Sequence, residues 1–246
     1  MSPISIVVIT LNEEKRIGRL LEDLSKQSHQ SFEVIVVDSN SDDNTCEVAQ
    51  GFEKALPALS VHKMEGRGTS LGRNTGAKLA SFERILFLDA DVRLEPTFLT
   101  NALHQLEKRK LEVAGVYMSA EELSAGYRLG YGLFNAGLYL TSFFFPTSVG
   151  ACLFSTKRAH EEISGFDESI VLCEDCDYVR RASETWRYRM IPVSFWFDPR
   201  RLEQDGFFKM GLTYLKANVR RFFFGEMRNN EMTYEFGHYK DAENKC

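Results

Sequence analysis

Ile85-Leu86-Phe87-Leu88-Asp89-Ala90-Asp91 is an apolar run that ends abruptly in two carboxylates spaced i, i+2. Four apolar residues in succession read as a strand buried on both faces, the pattern of a parallel sheet. Successive strand residues point to opposite sides, which would set Asp89 and Asp91 on one face and turn Ala90 away. Open parallel sheets bind ligands at the carboxyl ends of their strands. Two hard oxygen donors at that edge suit a divalent cation that also grips phosphate oxygens, in the manner of Mg²⁺. The pair could equally cap the helix announced by Pro96, Phe98, Leu99, Ala102, Leu103 and Leu106.

Outward from that strand, the first half of the chain alternates strand and helix. Ile4 to Ile9 reads as a strand, and Thr10-Leu11-Asn12-Glu13 as the turn after it. Ile17, Leu20, Leu21 and Leu24 fall on one face of a helix. Phe32 to Val37 is a second strand ending in Asp38, followed by a polar turn and a short helix around Glu47 to Leu56. Leu59 to Lys63 suits a third strand, and a loop from Glu65 to Gly72 leads into a helix from Arg73 to Ala80. Repeated units of this kind imply a mostly parallel, Rossmann-like sheet with helices on both faces.

Beyond the helix through Leu106, Val113 to Tyr117 resembles one more strand. From Leu129 to Thr156 there is no charged residue and no His. Five interior Gly and Pro residues interrupt that stretch, and its densest apolar part, Leu133 to Phe145, is shorter than the roughly 20 residues a bilayer requires.

The 246 residues suffice for one α/β domain, with 43% hydrophobic and 26% charged residues, ordinary for a globular protein. A formal charge of -5 argues against a general nucleic-acid binder. The first strand begins directly after the start Met, so a signal peptide is not expected. Five cysteines at irregular spacing suggest reduced thiols and a cytoplasmic protein. Cys173-x-x-Cys176 has no second Cys or His pair at zinc-finger spacing, which disfavours a structural zinc site.

Three acidic features follow three separate strand-like runs: Asn12-Glu13, Asp38 and Asp89-Ala90-Asp91. In a doubly wound sheet these converge on one edge, whereas unrelated helix caps need not gather where a ligand can bind. Arg73, in a Gly-rich stretch between them, has the planar donors that suit a phosphate or nucleobase. Further on, Glu174-Asp175 opens a helix with Tyr178, Val179 and Ala182 as inward positions. Such an acidic first turn complements the helix dipole, and one of its carboxylates could act as a general base. Neither a Gly-x-Gly-x-x-Gly after the first strand nor a P-loop is present.

Taken in order, Thr10-Leu11-Asn12-Glu13, Val36-Val37-Asp38-Ser39-x-Ser41-x-Asp43-x-Thr45, Arg73-Asn74-x-Gly76, Leu88-Asp89-Ala90-Asp91, Gly165-Phe166-Asp167 and Glu174-Asp175-x-Asp177 strongly resemble the family 2 glycosyltransferases of GT-A fold. The resemblance runs from about Ile4 to Arg180. It implies inverting transfer of a sugar from a nucleoside-diphosphate donor, with Mg²⁺ or Mn²⁺ as cofactor. By that likeness Thr10, Asn12, Glu13 and Asp38 line the base and ribose pocket, and Arg73 helps hold the nucleotide. Asp89, Ala90 and Asp91 serve the ribose and the metal, with Asp91 the more direct metal ligand and Asp89 beside it. Asp175 is then the base, and Glu174 positions it or the acceptor. The Gln-x-x-Arg-Trp of processive synthases is missing, which implies single addition. Arg200 or Arg201 could reach the leaving diphosphate, or form a solvated basic pair.

The resulting organisation is a single GT-A domain over residues 1–246. Residues 1–115 form the nucleotide-sugar half, 116–206 the acceptor and base half, and 207–246 a basic, aromatic C-terminal extension. The tail interleaves Phe207, Phe208, Phe222, Phe223 and Phe224 with Lys209, Lys216, Arg220, Arg221 and Arg228. Such a segment either packs on the domain or a second subunit, or lies on an anionic membrane surface, where a lipid-linked acceptor would be met. A cytoplasmic protein, peripheral on the membrane in the second case, is expected. Two alternatives stay open: a sugar-phosphate nucleotidyltransferase, although its usual basic Gly-rich first loop is replaced here by Thr10-Leu11-Asn12-Glu13, and a non-catalytic nucleotide-sugar binding protein.

Overall fold

In a computed structural model of the protein, residues 1–120, 125–170 and 172–197 are described, together with 216, 218–223 and 225 of the tail. The run from Ile4 forms β1 (Ile4–Thr10), buried at every position. It pairs in parallel with β2 (Phe32–Asp38) on one side and β4 (Arg84–Asp89) on the other. β3 (Leu59–Lys63) extends the parallel set beyond β2. Strands buried on both faces carry no polar alternation, which is why the sequence there reads as continuous Val, Ile and Leu.

Alternate residues of β1 feed two apolar layers. Ile4, Ile6 and Val8 join Leu20, Leu21 and Leu24 of α1 (Ile17–Ser25) and Phe98, Leu99 and Leu103 of α4 (Phe98–Arg109). Val7 and Ile9 face Ala77 of α3 (Thr69–Leu79) and Tyr178 and Val179 of α7 (Glu174–Ala182). Each fully buried aliphatic side chain contributes about 1.5–3 kcal/mol, so the sandwich of helix, sheet and helix is driven by both layers. α3 lies very close to the sheet: a Cβ on Gly76 would stand 2.1 Å from Val7 Cγ1.

The second half departs from a purely parallel sheet. β7 (Cys152–Thr156) pairs antiparallel with β4 and with β6 (Ala114–Ser119), and β8 (Arg189–Phe197) runs parallel to β6. The two-residue β5 (Val92–Arg93) closes the edge against β8. The eight strands stand in the order β3-β2-β1-β4-β7-β6-β8-β5. Two helices begin earlier than their periodicity indicates: α2 (Thr45–Gln50) and α3, whose first turn takes in Thr69 to Gly72. The uncharged stretch contains most of α5 (Ala125–Thr141), then a bend, then β7; the short α6 (Lys157–Glu162) follows directly. Among the described residues no helix is long and apolar enough to cross a membrane.

Candidate active site

Convergence at one sheet edge follows from register. Thr10 is opposite Asp38, and Ile9 is opposite Asp89, so the ends of β2, β1 and β4 stand side by side. The loops beyond them are stitched together. Asp38 is fully buried, and its carboxylate accepts from Thr10 Oγ1 at 2.9 Å, from the Ser41 amide at 2.8 Å, and from Ser41 Oγ. Ser41 Oγ in turn accepts from the Asn12 amide at 2.8 Å, and Asn12 Oδ1 accepts from the Asp42 amide at 2.9 Å. Asn12 adopts φ 56°, a left-handed turn that Asn tolerates better than most residues. The Glu13 amide donates to Thr45 Oγ1 at 2.8 Å. Thus Thr10, Asn12, Glu13 and Asp38 share one rim. Asp38 spends its carboxylate holding the two loops in register.

β4 ends at Asp89, and Ala90 and Asp91 form a turn before β5. Ala90 joins the layer of Leu86, Leu88 and Val92, on the opposite side from Ile85 and Phe87. Ala90 is thus turned away as the alternation expects; Asp89 ends the strand and Asp91 sits half-buried in the turn.

Arg73 is the hub of the other half of the site. It is 2% exposed, yet it carries a full charge. Its Nη1 donates to Glu174 Oε1 at 2.6 Å, and its Nη2 donates to Asp89 Oδ1 and to the Gly150 carbonyl, each at 3.1 Å. The Phe166 ring lies 5.3 Å from the guanidinium. Burial would lower this guanidinium, but Asp89, Glu174 and Asp175 outweigh it and hold its pKa above the ordinary value. The family resemblance sets Arg73 at the nucleotide; the structure shows it buried, joining the end of β4 to the start of α7. The reason is steric: Gly76 lets α3 drop onto β1, and Arg73, one turn earlier on the same face, goes inward with it.

Asp175 stands beside this hub. A Cβ on Gly150 would come within 2.8 Å of Arg73 Nη2 and 3.1 Å of Asp175 Cβ, so all three crowd one point. Asp175 is 9% exposed, and its Oδ1 accepts from the Cys176 amide at 2.8 Å. Burial first, and the neighbouring Glu174 second, push its pKa up to about 6, while Arg73 and the Cys176 amide oppose them. A nearly buried carboxylate poised near neutrality is suited to take a proton. Cys173, immediately before the pair, holds φ 65°. A strained residue of this sort persists only where its surroundings fix it.

Some motif residues act as latches, a role that spacing alone did not reveal. Asn74 Oδ1 accepts from the Phe166 amide at 2.8 Å, and its Nδ2 donates to the Phe166 carbonyl at 3.0 Å and to Glu168 at 2.9 Å. Asp177, fully buried, accepts from Arg181 Nε at 2.7 Å, and Arg181 also donates to the Gly165 carbonyl at 2.8 Å. Together they clamp the Gly165-Phe166-Asp167 turn between α3 and α7. Behind it Tyr178 shares hydrogen bonds with Ser155 at 2.7 Å and His160 at 3.2 Å. Burial, with Arg181 and Lys78 adding to it, lowers His160 to about 4, so it stays neutral at physiological pH. Arg200 and Arg201 lie outside the described residues, as does most of the tail.

Among the described residues no group of three or more His, Cys, Asp or Glu side chains is gathered to hold a cation. Asp89 and Asp91 nonetheless supply oxygen donors at the strand edge, and Asp89 keeps 30% of its side chain exposed despite Arg73. That donor set fits a hard cation such as Mg²⁺ or Mn²⁺ whose remaining ligands come from phosphate and water.

Comparison with known proteins agrees with this architecture. The family model described as "Glycosyl transferase family 2" matches residues 5–162, well over half of the chain. The uncharacterized glycosyltransferase YwdF of Bacillus subtilis is 26% identical over 194 residues, 78% of this chain and 72% of its own. A Methanococcus voltae dolichyl N-acetyl-alpha-D-glucosaminyl phosphate diacetamidodideoxyglucuronosyltransferase is 26% identical over 194 residues, covering 72% of this chain and 60% of its own. Two solved structures share the fold at 21% identity. Staphylococcus aureus TarS 1-349 in complex with UDP-GlcNAc has a TM-score of 0.65 over 79% of this chain and 58% of its own. The Pyrobaculum calidifontis mannosyltransferase PcManGT in complex with GDP-Man and Mn²⁺ has a TM-score of 0.69 over 79% of this chain and 56% of its own. Except for YwdF, the matched part is less than two thirds of the relative's own length. With a mixed sheet of this order, an acidic strand edge and the family match over residues 5–162, the chain belongs to the family 2 glycosyltransferases.

Proposed function

We propose that this protein moves a sugar from a nucleoside-diphosphate donor to a hydroxyl or phosphate acceptor with inversion, and that Asp175 is the base. The observation that carries this reading is the position of Asp175. It is a nearly buried carboxylate with a pKa raised to about 6, packed against the hub that reaches Asp89 at the donor edge. The nucleotide sugars bound in TarS and PcManGT support a donor of the same class here. In the proposed step the acceptor oxygen attacks the anomeric carbon while the bond to the diphosphate breaks on the opposite side. The acceptor proton passes to Asp175, and the nucleoside diphosphate leaves with the bonding electrons. Glu174, fixed by Arg73 at 2.6 Å, orients Asp175 and raises its proton affinity. Thr10, Asn12, Glu13 and the Asp38 rim border the base and ribose. Asp91, with Asp89 beside it, would hold a divalent cation that offsets charge on the departing diphosphate, and Ala90 lies at the nucleotide-sugar edge between them.

Calorimetric titration with a panel of nucleoside diphosphates and their sugars, with and without Mn²⁺, tests the donor half. Metal-dependent binding of one member, lost in Asp91→Ala, is expected. Binding that is independent of metal and indifferent to Asp91→Ala would remove the metal assignment. Asp175→Asn should leave that binding intact and abolish transfer, and normal turnover by this variant would remove the base. Membership of the family weighs against the nucleotidyltransferase reading; turnover distinguishes an enzyme from a non-catalytic binding protein.

A further inference from the structure

Away from the donor edge, a second site is formed where the end of α5 meets β8. A cavity of about 200 Å³ is lined by Arg109, Arg187 and Arg189 together with Tyr139, Ser142 and Phe143, and no Asp or Glu among the described residues lines it. Arg109 and Arg187 are exposed. Among the described residues none of the three arginines forms an ion pair. Arg109 reaches only the Met190 carbonyl at 3.4 Å, and Arg189 only the carbonyls of Ser142 at 3.0 Å and Tyr188 at 2.7 Å. The Arg189 Nε–H is buried with no acceptor. Three guanidiniums left without carboxylates, one with an unsatisfied buried donor, form a site for an oxyanion.

The surface beside this cavity is the reverse of what a helix turned to water should show. Leu129, Leu133, Ala136 and Leu140 recur at helical spacing along the exposed side of α5, and Phe143 and Phe144 continue the line. Leu129 and Leu133 are 68% exposed and Phe144 is 73% exposed. Tyr131 and Leu138, on the opposite side, are the large residues that α5 buries in the protein, with Gly130 beside them. The Arg189 guanidinium stacks 4.4 Å from the Phe143 ring, tying the charged cavity to the apolar stripe. The described tail adds to the same surface: Phe222 meets Phe145 at 5.3 Å while Phe222 and Phe223 stay exposed. An apolar stripe bordered by unpaired cations complements the acyl and phosphate layers of one leaflet.

We propose that the exposed side of α5 docks on an anionic membrane surface, with a lipid phosphate seated among Arg109, Arg187 and Arg189. At 17 residues α5 is too short to span, and it lies in the interface instead. The placement also orients the catalytic half. The bend after α5 leads from Ser142, which holds Arg189, to Gly150, which holds Arg73. The proposal stands independently of the donor assignment.

Flotation of the full chain with phosphatidylcholine vesicles, with and without phosphatidylglycerol, tests it. Association only with the phosphatidylglycerol vesicles is expected. Neutralising Arg109 and Arg187 together (R109A/R187A) should weaken it about 25-fold, from about fivefold for each charge. Leu133→Asp with Leu140→Asp should abolish it. All four side chains are exposed, so matched thermal unfolding curves will show that the variants are folded. No association with either vesicle, or equal association with both that R109A/R187A leaves unchanged, overturns the proposal. So does tight calorimetric binding of inorganic phosphate by a protein that does not float, since the cavity would then be a site for a free anion.

Discussion

Asp175→Asn should make the folded protein more stable while removing its chemistry. Burial and Glu174 lift the Asp175 carboxyl from 3.8 to about 6. A shift of about 2 units corresponds to ~3 kcal/mol by which folding disfavours the ionised form. Between those two values the folded protein holds a proton that the unfolded chain has released, so stability falls as pH rises through that window. Above about pH 6 the whole penalty is present, and below 3.8 it is absent. Asparagine cannot ionise, and its Oδ1 can still accept from the Cys176 amide as Asp175 does at 2.8 Å. Allowing about 1 kcal/mol for a less favourable bond, the variant should gain ~2 kcal/mol above neutral pH. For a chain of this size that is about 4–8 °C in Tm. Thermal unfolding of both proteins, followed by circular dichroism across a pH series, checks it. The advantage should shrink steadily on acidification, vanish at about pH 4.5, where the ionisation penalty has fallen to about 1 kcal/mol, and turn into a deficit of about 1 kcal/mol below the ordinary Asp value of 3.8. A variant no more stable than the parent at alkaline pH, or an advantage that does not depend on pH, would refute the claim that a strained carboxylate is stored here.

Three other outcomes follow from the same hub. The rate of transfer should fall on the acid side with an apparent pKa near 6, and Glu174→Gln should move that limb to lower pH by removing a like charge and releasing Arg73; a pH–rate profile of the two proteins decides it. Arg73→Met leaves Glu174 and Asp89 without their shared cation and should cost about 3–5 kcal/mol in urea unfolding, with Arg73→Lys recovering only part, because an ammonium cannot span two carboxylates and the Gly150 carbonyl. Gly76→Ala places a Cβ 2.1 Å from Val7 Cγ1 and should cost about 1–3 kcal/mol or more, with Val7→Ala in the same chain returning part of the loss as a non-additive pair.

The parallel half of the fold was legible because burial on both faces leaves a plain signature. Ile4–Thr10, Phe32–Asp38 and Arg84–Asp89 are strands where the apolar runs indicated, Leu59–Lys63 is a strand at the sheet edge without a buried residue, and Phe98, Leu99, Ala102, Leu103 and Leu106 all face inward on α4. In the second half the strand at Val113 to Tyr117 and the helix opened by Glu174-Asp175 form as β6 and α7, whereas α5, β7 and β8 were not legible, for reasons that can be named. α5 carries Gly126, Gly130, Gly132 and Gly137, each a poor helix former, which weakens the helical signal of the segment. Its apolar stripe faces outward, which inverts the pattern from which an amphipathic helix is ordinarily read. β7 and β8 pair with strands distant in sequence, and local periodicity carries no information on whether such a pairing is parallel or antiparallel.

In the site, acidic strand ends and the Glu174-Asp175 pair could be found from order and spacing because their chemistry is in the residue type. The role of Arg73 could not, because an arginine reads alike whether it meets a phosphate or its own carboxylates. One signal was nevertheless present. Gly72, Gly76 and Ala77 are the small residues of α3, and Arg73 shares a helix face with the last two at i, i+3 and i, i+4. A face of small residues marks where a helix lies closest to its neighbour, so a long cation on that face must cross the interface rather than leave it. Its partners then have to be acids at the adjoining strand and helix ends, which are Asp89 and Glu174. A buried charge with two acids and a carbonyl around it costs little once all are paired, and a great deal when any one is removed. The proposed donor edge and the proposed base are therefore mechanically one unit. Changes that loosen Arg73 should disturb donor binding and the Asp175 proton together, whereas changes at Asp91 should disturb donor binding alone.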